Sequence, residues 1–414
     1  MTSAKSGGIL GPAELARYAN AIVKSVGFTP GETLVVRGAP AARELMVAVA
    51  ASAYRAGAHA VDVIASDPLV MRARLQHGRD DALGVLTLWQ KVRLRELMKP
   101  GTAEASIVGE SEPGFLDGIA PKRIATEYAR LGGQTRAYRR ASLDMRVRWT
   151  LAAWPTDYWA GKVYSELPVV EAKRRLAHDL LWFCRLTHED GAGVSGWLSH
   201  QRAVMRRSQK LSKLGLMSLE LRGPGTELDV RLVPGTLWLG GLERTPSGVL
   251  VAGNMPSEES FTSPDASATE GTFACTLPLS FQGRLIEGLR GEFRNGRLVR
   301  LAARRDRDRD FVASYIDSDP KNGRRLGEVA LVDSTSRIGQ TGRTYYETLL
   351  DENAAAHIAF GNGFGQTRGR KPARGLNTST LHLDVMIGSP DLEVTGANAR
   401  GKRIPVIRDG LWQI

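Results

Sequence analysis

Cysteine is scarce in this sequence. Its 414 residues include two cysteines, Cys184 and Cys275, which lie far apart and outside any C-x-x-C pattern. Small secreted domains rely on dense cysteine pairing, and thiolate zinc sites need clustered cysteines. The scarcity therefore excludes a disulfide framework and a thiolate zinc site, and it indicates a reducing compartment.

Long apolar segments are also missing. The longest apolar run, around Met46–Tyr54, is far shorter than the roughly 20 residues that cross a bilayer. The segment Met1–Pro12 does not place an apolar core after a charged region, as an export signal does. We therefore expect a cytoplasmic protein without a membrane partner.

Signals for nucleotide and nucleic-acid binding are weak. No G-x-G-x-x-G pattern follows the first strand-like segment, so a dinucleotide site is unsupported. The chain has 56 Lys and Arg against 44 Asp and Glu, a formal charge of +12, which favours acidic partners in a general way. However, the cluster Arg304–Arg309 alternates in sign, and no recognition module or basic stripe with interleaved aromatics accompanies it. We do not expect a nucleic-acid partner.

The first half of the chain alternates helix and strand signals. Apolar residues recur at helical spacing, breakers such as Thr29-Pro30-Gly31 follow, and short β-branched runs come next. The order is helix 12–27, strand 33–37, helix 41–56, strand 60–64, and two further strand-like segments at 104–109 and 146–153. This order predicts βαβ units in a mostly parallel sheet.

The second half has a different texture. After a helical connector over 170–214, short alternating segments are separated by Gly and Pro turns, and Asn295-Gly296 is a strong hairpin signal. We therefore predict an α/β N-terminal domain with a mostly parallel sheet over residues 1–195. An α+β C-terminal domain built on antiparallel sheet is predicted over residues 196–414.

One short strand brings together two groups that bind metals. In the segment 381–387, strict alternation puts Leu383 and Val385 on one face and His382 and Asp384 on the other. An imidazole and a carboxylate two residues apart on one strand are able to share a cation. A solvent-facing polar edge, or a simple hydrogen bond between His382 and Asp384, explains the same pattern.

Three further candidates are weaker when they are considered singly. His357 lies near the end of the run 345–361, whose composition and terminal glycine predict a helix. A lone histidine on a helix is more often hydrogen-bonded within the protein or exposed than a metal ligand. Glu328 stands near the start of an apolar strand, where a simple edge charge is an alternative. The adjacent acids Glu258 and Glu259 follow a non-helical turn, where acids are usually solvated.

Four motifs contain these candidates in one order. They are Asn-Met-Pro-Ser-Glu-Glu-Ser-Phe-Thr-Ser-Pro (254–264), Leu-Gly-Glu-Val-Ala-Leu (326–331), Asp-Glu-Asn-Ala-Ala-Ala-His (351–357) and His-Leu-Asp-Val-Met-Ile-Gly (382–388). In this order they resemble the thermophilic metalloaminopeptidase family, peptidase family M29. The resemblance also covers Trp154-Pro155, Arg222-Gly-Pro-Gly-Thr226 and Trp238-Leu-Gly-Gly241, and so reaches nearly the whole chain.

The resemblance implies a site for two divalent metal ions in the C-terminal domain of a homodimer, acting on a peptide or small amide. The metal ligands that it implies are Glu259, Glu328, His357, His382 and Asp384. Carboxylates and imidazoles suit Zn²⁺, Co²⁺ or Mn²⁺, and two such ions activate water against an amide bond. Glu258 and Glu352 are the candidates for the catalytic general base, on their nearness in sequence alone.

Two positions depart from the family pattern. The family carries a tyrosine seven residues after the histidine of the third motif, where this chain has Phe364, and a phenyl ring neither ligates a metal nor donates a hydrogen bond. Where the family usually has Ser-Pro-Ile, this chain has Ser336-Arg337-Ile338. Either this arginine and its neighbours give the site a basic lining, or they are solvated loop residues; the neighbours are Arg343, Arg368, Arg370 and Lys371.

A different chemistry on the same scaffold remains open at this point. Ring-cleaving dioxygenases that act on dihydroxypyridines are similar to this family and bind one Fe²⁺ through fewer ligands. The retained Glu259, Glu328 and His357 favour two metals over that arrangement. Phe364 leaves a specialised small-molecule hydrolase or lyase as a further alternative.

Overall fold

The computed structural model describes residues 8–110, 112, 114–191, 193–282, 284–369 and 374–414. Within these residues the chain forms two compact units. The first unit runs to Leu198 and also contains Glu243–Met255, and the second comprises Ser199–Leu242 and Pro256–Ile414. The segment Glu243–Met255 returns to the first unit, so two stretches of chain form each unit.

The helices begin and end as follows: α1 Pro12–Ser25, α2 Arg43–Arg55, α3 Pro68–His77, α4 Leu88–Leu97, α5 Pro121–Leu143, α6 Asp157–Val163, α7 Val169–Phe183, α8 Ser195–Leu214, α9 Asp306–Asp317 and α10 Thr348–Asp351. Short 3₁₀ turns lie at Pro40–Ala42, His188–Asp190, Gly339–Thr341 and Gly365–Arg368. Among the described residues, none of the helices combines the length and apolar character needed to cross a bilayer.

The strands are β1 Thr33–Gly38, β2 Ala60–Ala65, β3 Thr102–Val108, β4 Arg148–Ala153, β5 Leu216–Gly223, β6 Thr226–Leu232, β7 Leu242–Arg244, β8 Leu250–Ala252, β9 Asn254–Met255, β10 Ser260–Thr262, β11 Pro264–Ala274, β12 Leu279–Phe281, β13 Arg284–Ile286, β14 Arg290–Arg294, β15 Arg297–Ala302, β16 Leu326–Leu331, β17 His357–Gly361, β18 His382–Met386, β19 Glu393–Asn398, β20 Arg403–Arg408 and β21 Leu411–Trp412.

The first unit contains a five-stranded sheet in the order β2-β1-β3-β4-β9. All of its strand pairs are parallel, because helices such as α2 connect successive strands. The central strands β1 and β3 are buried and rich in Val, Ala and Ile, as strands covered on both faces are. The predicted α/β domain with a mostly parallel sheet is confirmed.

The second unit contains an eight-stranded antiparallel sheet in the order β15-β14-β11-β6-β5-β19-β20-β21 and a four-stranded antiparallel sheet in the order β10-β16-β17-β18. One hydrophobic core joins them, since Leu219 and Val230 of the large sheet and Val329 and Ile358 of the small sheet belong to one buried cluster. The predicted hairpin also forms, with Asn295 at φ 50° between β14 and β15. The antiparallel C-terminal domain is confirmed.

The predicted helix over 345–361 is wrong. Helix α10 is limited to Thr348–Asp351, and His357 is the first residue of β17. The alanines before His357 favour a helix locally, but β17 pairs on both sides with β16 and β18 and buries Ile358 and Phe360 in the core. Tertiary burial therefore outweighs helix propensity here.

Candidate metal centre

Strand alternation gives the four-stranded sheet two chemically different faces. Val329, Ile358 and Leu383 point into the hydrophobic core. On the opposite face, Ala359 of the middle strand pairs with both Glu328 and Asp384. Partners across antiparallel strands share a face, so the small side chain of Ala359 lies between two carboxylates.

The two histidines begin neighbouring strands on this same face. His357 opens β17 and pairs with Ala330 and Met386, and His382 opens β18 and pairs with Gly361. Glu259 directly precedes β10, whose first residue pairs with Leu331 at the end of β16. Antiparallel register therefore collects side chains from four segments that are distant in sequence.

All five residues implied as ligands are brought together. Potential ligand atoms of Glu259, Glu328 and His357 lie within 4.8 Å of one another, and the same holds for Glu328, His382 and Asp384. His357 Nε2 lies 3.3 Å from Glu259 Oε2, and His382 Nε2 lies 3.3 Å from Glu328 Oε2 and 3.0 Å from Asp384 Oδ1. Glu328 belongs to both groups, so one buried carboxylate joins two adjacent donor sets.

The orientation of His357 suits a metal ligand. Its Nδ1–H donates to the Ala355 carbonyl oxygen at 3.3 Å, which directs Nε2 toward Glu259. Because a carbonyl only accepts hydrogen bonds, this contact keeps a proton on Nδ1, so Nε2 is the nitrogen whose proton a metal ion would replace. By contrast, the buried Nδ1 of His382 has no hydrogen-bond partner among the described residues.

The electrostatics of this face favour positive charge. Burial lowers the pKa of His357, but the hydrogen bond to Glu259 and the charges of Glu259 and Asp384 outweigh burial and raise this pKa to about 10. Burial likewise opposes protonation of His382, yet Asp384 and Glu328 raise its pKa well above the usual range. Without metal ions, the carboxylates therefore favour the protonated, cationic form of both imidazoles.

The carboxylates respond to the same surroundings in opposite ways. Burial raises the pKa of Glu328, although the hydrogen bond from His382 lowers it in part. Burial also raises the pKa of Asp384, but the charge of His382 and its hydrogen bond outweigh burial and lower this pKa. The cluster holds more carboxylate than two imidazoles neutralise comfortably, which fits a site for divalent cations.

The two candidates for a general base have different surroundings. Burial and the charges of Asp384 and Glu259 raise the pKa of Glu352 well above its usual range. Glu258 Oε2 instead lies 3.2 Å from His200 Nε2. Asn353, the residue after Glu352, links the segment of Glu352 to that of Glu258. Its Oδ1 accepts from the Glu258 backbone N–H at 2.7 Å, and its Nδ2 donates to the Leu349 carbonyl at 2.9 Å.

Phe364 does lie beside the candidate centre. Its ring centroid is 5.6 Å from that of His382 and 5.1 Å from that of Phe261, both in edge-on geometry. Its backbone N–H donates to Ser263 Oγ at 2.8 Å, which holds the ring at this place. An apolar ring therefore stands next to one of the two candidate histidines.

The structure describes three of the five residues of the suggested basic lining, Arg337, Arg343 and Arg368. Arg370 and Lys371 lie outside the described residues. Arg337 is half-buried and Arg368 is buried. Arg343 lines a cavity of about 300 Å³ together with Asp333 and residues 354–356.

Three residues at the centre carried no signal in the sequence. Asn353 and His200 act through contacts with the Glu258 segment, and Ala359 acts by being small between two acids. Contacts between α8 and the loop before β10 join residues that are more than fifty positions apart, and no local pattern predicts such a contact.

Fold and site together define a class of protein. Three buried carboxylates, the buried imidazole of His357 and the half-buried imidazole of His382 are oxygen and nitrogen donors of the kind that borderline divalent metal ions prefer. Comparison with known proteins agrees with this class and makes it specific.

The thermophilic metalloprotease family (M29) matches this sequence over residues 12–412. The chain is 33% identical to aminopeptidase T of Thermus aquaticus over 403 residues, which are 95% of this chain and 97% of that protein. The structure of wild-type AmpT from Thermus thermophilus superposes with a TM-score of 0.88 at 30% sequence identity, over 97% of this chain and 99% of that one. This chain belongs to the M29 metalloprotease family, and it is a metal-dependent hydrolase.

A second solved structure is similar in fold alone. The 2,5-dihydroxypyridine dioxygenase of Pseudomonas putida KT2440 superposes with a TM-score of 0.53 at 14% identity, over 97% of this chain and 98% of that chain. The scaffold is therefore shared with an oxygenase, whereas the similarity at 30% identity or above is to aminopeptidases.

Proposed function

We propose that the protein is an aminopeptidase that holds two divalent metal ions on the ligand face of the four-stranded sheet. The observation that carries the proposal is the pair of donor groups that share Glu328. The names of the relatives support the same activity. Bound there, two ions would supply Lewis-acid activation of a water molecule and of a scissile amide carbonyl.

The assignment of ligands follows the two donor groups. Glu259 and His357 would hold one ion, His382 and Asp384 the other, and Glu328 both. The donor set suits Zn²⁺, Co²⁺ or Mn²⁺. The free, neutral α-amine of a peptide substrate would offer a further nitrogen donor to one of these ions.

We assign proton transfer to Glu352. Its carboxyl would take a proton from the attacking water and return it to the leaving nitrogen. Support comes from the upward shift of its pKa, which favours the protonated form that a general acid needs, and from its electrostatic interaction with Asp384 and Glu259. Ser336 helps to fix this segment, because its hydroxyl donates to the Asn353 carbonyl at 2.6 Å.

The single-iron dioxygenase alternative is not favoured. Five donors remain on this face, and the likeness to the dioxygenase is at the level of fold.

Cytoplasmic location and homodimerisation complete the proposal. The two free cysteines support a reducing compartment, and the homodimer rests on the family resemblance and is tested by light scattering during size-exclusion chromatography.

Hydrolysis of aminoacyl p-nitroanilides tests the proposed activity. The metal-reloaded protein is expected to release p-nitroaniline, to lose activity with a chelator, and to leave N-acetylated substrates intact because they lack a free amine. His382→Ala is expected to abolish activity, whereas His178→Ala, an exposed histidine of the first unit, serves as the matched control and retains it. Reloaded wild-type protein that is inert on a broad peptide panel would contradict the proposal.

A further inference from the structure

The adjacent acids of the turn before β10 face different partners. Glu259 Oε2 lies 3.3 Å from His357 Nε2 in the candidate metal centre. Glu258 Oε2 lies 3.2 Å from His200 Nε2 on α8, and only 6% of the Glu258 side chain is exposed. One acid of the pair thus points to the metal centre, while its neighbour is buried against a helix that supplies none of the five candidate ligands.

Residues from two segments hold the backbone of this turn. His200 Nε2 lies 3.0 Å from the Ser257 carbonyl oxygen, and Gln201 Nε2 donates to the same oxygen at 3.0 Å. From the other side, Asn353 Oδ1 accepts the Glu258 backbone N–H at 2.7 Å. The carbonyl before Glu258 and the amide of Glu258 itself are therefore both fixed.

The geometry around His200 determines its hydrogen-bonding role. Its Nε2 approaches a carbonyl oxygen and a carboxylate oxygen, which both accept, so Nε2 carries the hydrogen and donates to both. Without this donor, the buried Glu258 carboxylate would lose a partner and the turn would have to move to hydrate it. Glu259 is the next residue, and a metal ligand must be held to within about 0.5 Å.

We infer that His200 is a positioning residue that, by holding Glu258, fixes the metal ligand Glu259. The inference rests on the proposed metal site and assigns Glu258 to anchoring the turn. Gln201 provides an internal comparison. It donates to the same Ser257 carbonyl from the same helix, whereas the 3.2 Å contact with the Glu258 carboxylate is made by His200.

Metal affinity in a double-mutant cycle tests the inference. Affinity for Zn²⁺ is measured by chelator competition for wild type, His200→Ala, Glu258→Gln and the double variant. His200→Ala is expected to weaken binding by about 10- to 100-fold, as loss of a partner behind a metal ligand does. In the Glu258→Gln background, the same change is expected to add less than about threefold, because both variants break one contact.

Two further variants separate positioning from general destabilisation. Gln201→Met removes the second donor to Ser257 and is expected to weaken Zn²⁺ binding by less than about threefold. His200→Gln retains a donor near the Nε2 position and is expected to restore affinity to within about threefold of wild type. Unfolding midpoints of the metal-free variants are measured alongside, and the loss of Zn²⁺ affinity in His200→Ala is expected to persist under conditions where both metal-free variants are fully folded.

Each result decides the inference. Wild-type affinity in His200→Ala, or additive losses in the cycle, would overturn it while leaving the aminopeptidase proposal intact. Wild-type protein that binds no Zn²⁺ would overturn the proposed metal site and the role of Glu259 together. In that case the same double-mutant cycle is measured as the free energy of unfolding in urea of the metal-free protein. A coupling between His200 and Glu258 in that measurement would mean that the contact anchors the turn but has no role in metal binding.

Discussion

Two glutamates lie buried on strands of the two units, and their surroundings differ. Glu104, on β3 of the first unit, accepts hydrogen bonds from the Arg37 guanidinium and the Tyr138 hydroxyl. Glu328, on β16 of the second unit, instead lies among Glu259, His357 and His382. One buried carboxylate is neutralised by a permanent cation, whereas the other shares two titratable imidazoles with further acids.

The difference shows how a structural acid is distinguished from a metal ligand. Arginine stays charged at any physiological pH, so the pair of Glu104 with Arg37 is complete in itself. Imidazoles lose their protons when they ligate a metal, so the balance around Glu328 is conditional and divalent ions replace the protons. Both side chains are buried, so the permanence of the counter-charge is what distinguishes the two positions.

The largest expected effect comes from replacing these two glutamates in turn. Glu328→Gln is expected to remove both metal ions and to lower kcat/KM by at least about a thousandfold, because both donor groups use this carboxylate. Glu104→Gln is expected to keep metal content and activity while lowering the free energy of unfolding by about 1–3 kcal/mol. Steady-state kinetics, elemental analysis and urea unfolding measure these effects.

The stability of the metal-free protein provides the control for that pair. Since burial raises the pKa of Glu328, folding disfavours its charged form, and a neutral amide there relieves this cost. Metal-free Glu328→Gln is therefore expected to be more stable than metal-free Glu104→Gln. The reverse order would show that the acid on β16 is a structural ion-pair partner after all.

Proton release on metal binding is the next largest effect. Neighbouring carboxylates raise the pKa of His357 to about 10, so this imidazole carries a proton at pH 7 in the metal-free protein, and the pKa of His382 is shifted in the same direction. Metal ligation requires the neutral form, and affinity is expected to rise about tenfold per pH unit for each proton released between about pH 6 and pH 9. Calorimetry in buffers of different ionisation enthalpy counts the protons, and buffer-independent heats would contradict the prediction.

The same pKa shift predicts the pH dependence of stability. The raised pKa of His357 contributes stability to the metal-free fold that is fully present below the unfolded pKa of about 6.5. This contribution is lost as pH rises toward about 10. Urea midpoints of the metal-free protein are expected to fall over this range more than those of His357→Gln.

The two faces of the four-stranded sheet give a comparison with smaller effects. Ala359→Leu is expected to weaken metal binding by about tenfold or more, because it fills the space between Glu328 and Asp384. Ile358→Val on the core face is expected to cost about 0.5–1.5 kcal/mol of stability without changing metal affinity. Equal metal affinity in the two variants would show that metal binding does not need a small side chain at position 359.

The smallest expected effect concerns the ring beside His382. Phe364→Tyr adds a hydroxyl next to the candidate centre and is expected to raise kcat by up to about tenfold at unchanged metal content. Phe261→Tyr, in the contacting ring, is the matched control and is expected to have no such effect. A fall in kcat for Phe364→Tyr would instead show that the site depends on an apolar ring.

Alternation along a strand was the most informative signal for the centre. The period of two in segment 381–387 correctly separated His382 and Asp384 from Leu383 and Val385, because one face of β18 lies in the core. The same rule applies to Glu328 and His357. For His357 the sequence favours a helix instead, because alanines precede it. The strand is evident only from the pairing of β17 with β16 and β18.

Contacts that depend on tertiary structure were beyond prediction from the sequence. The contact between His200 and Glu258 joins α8 to a loop, and the contact between Asn353 and that loop spans 95 positions. Neither has a periodicity or a spacing rule. The βαβ order of the first unit and the hairpin at Asn295-Gly296 were predictable because local propensity and the final fold agree there.

The most direct test of the account is the metal content per chain, by elemental analysis, of wild type and Glu328→Gln purified without chelator or affinity nickel. The shared carboxylate predicts about two zinc, cobalt or manganese ions per wild-type chain and none in Glu328→Gln. A single ion in the wild type, or two ions retained in Glu328→Gln, would contradict a centre built on Glu328.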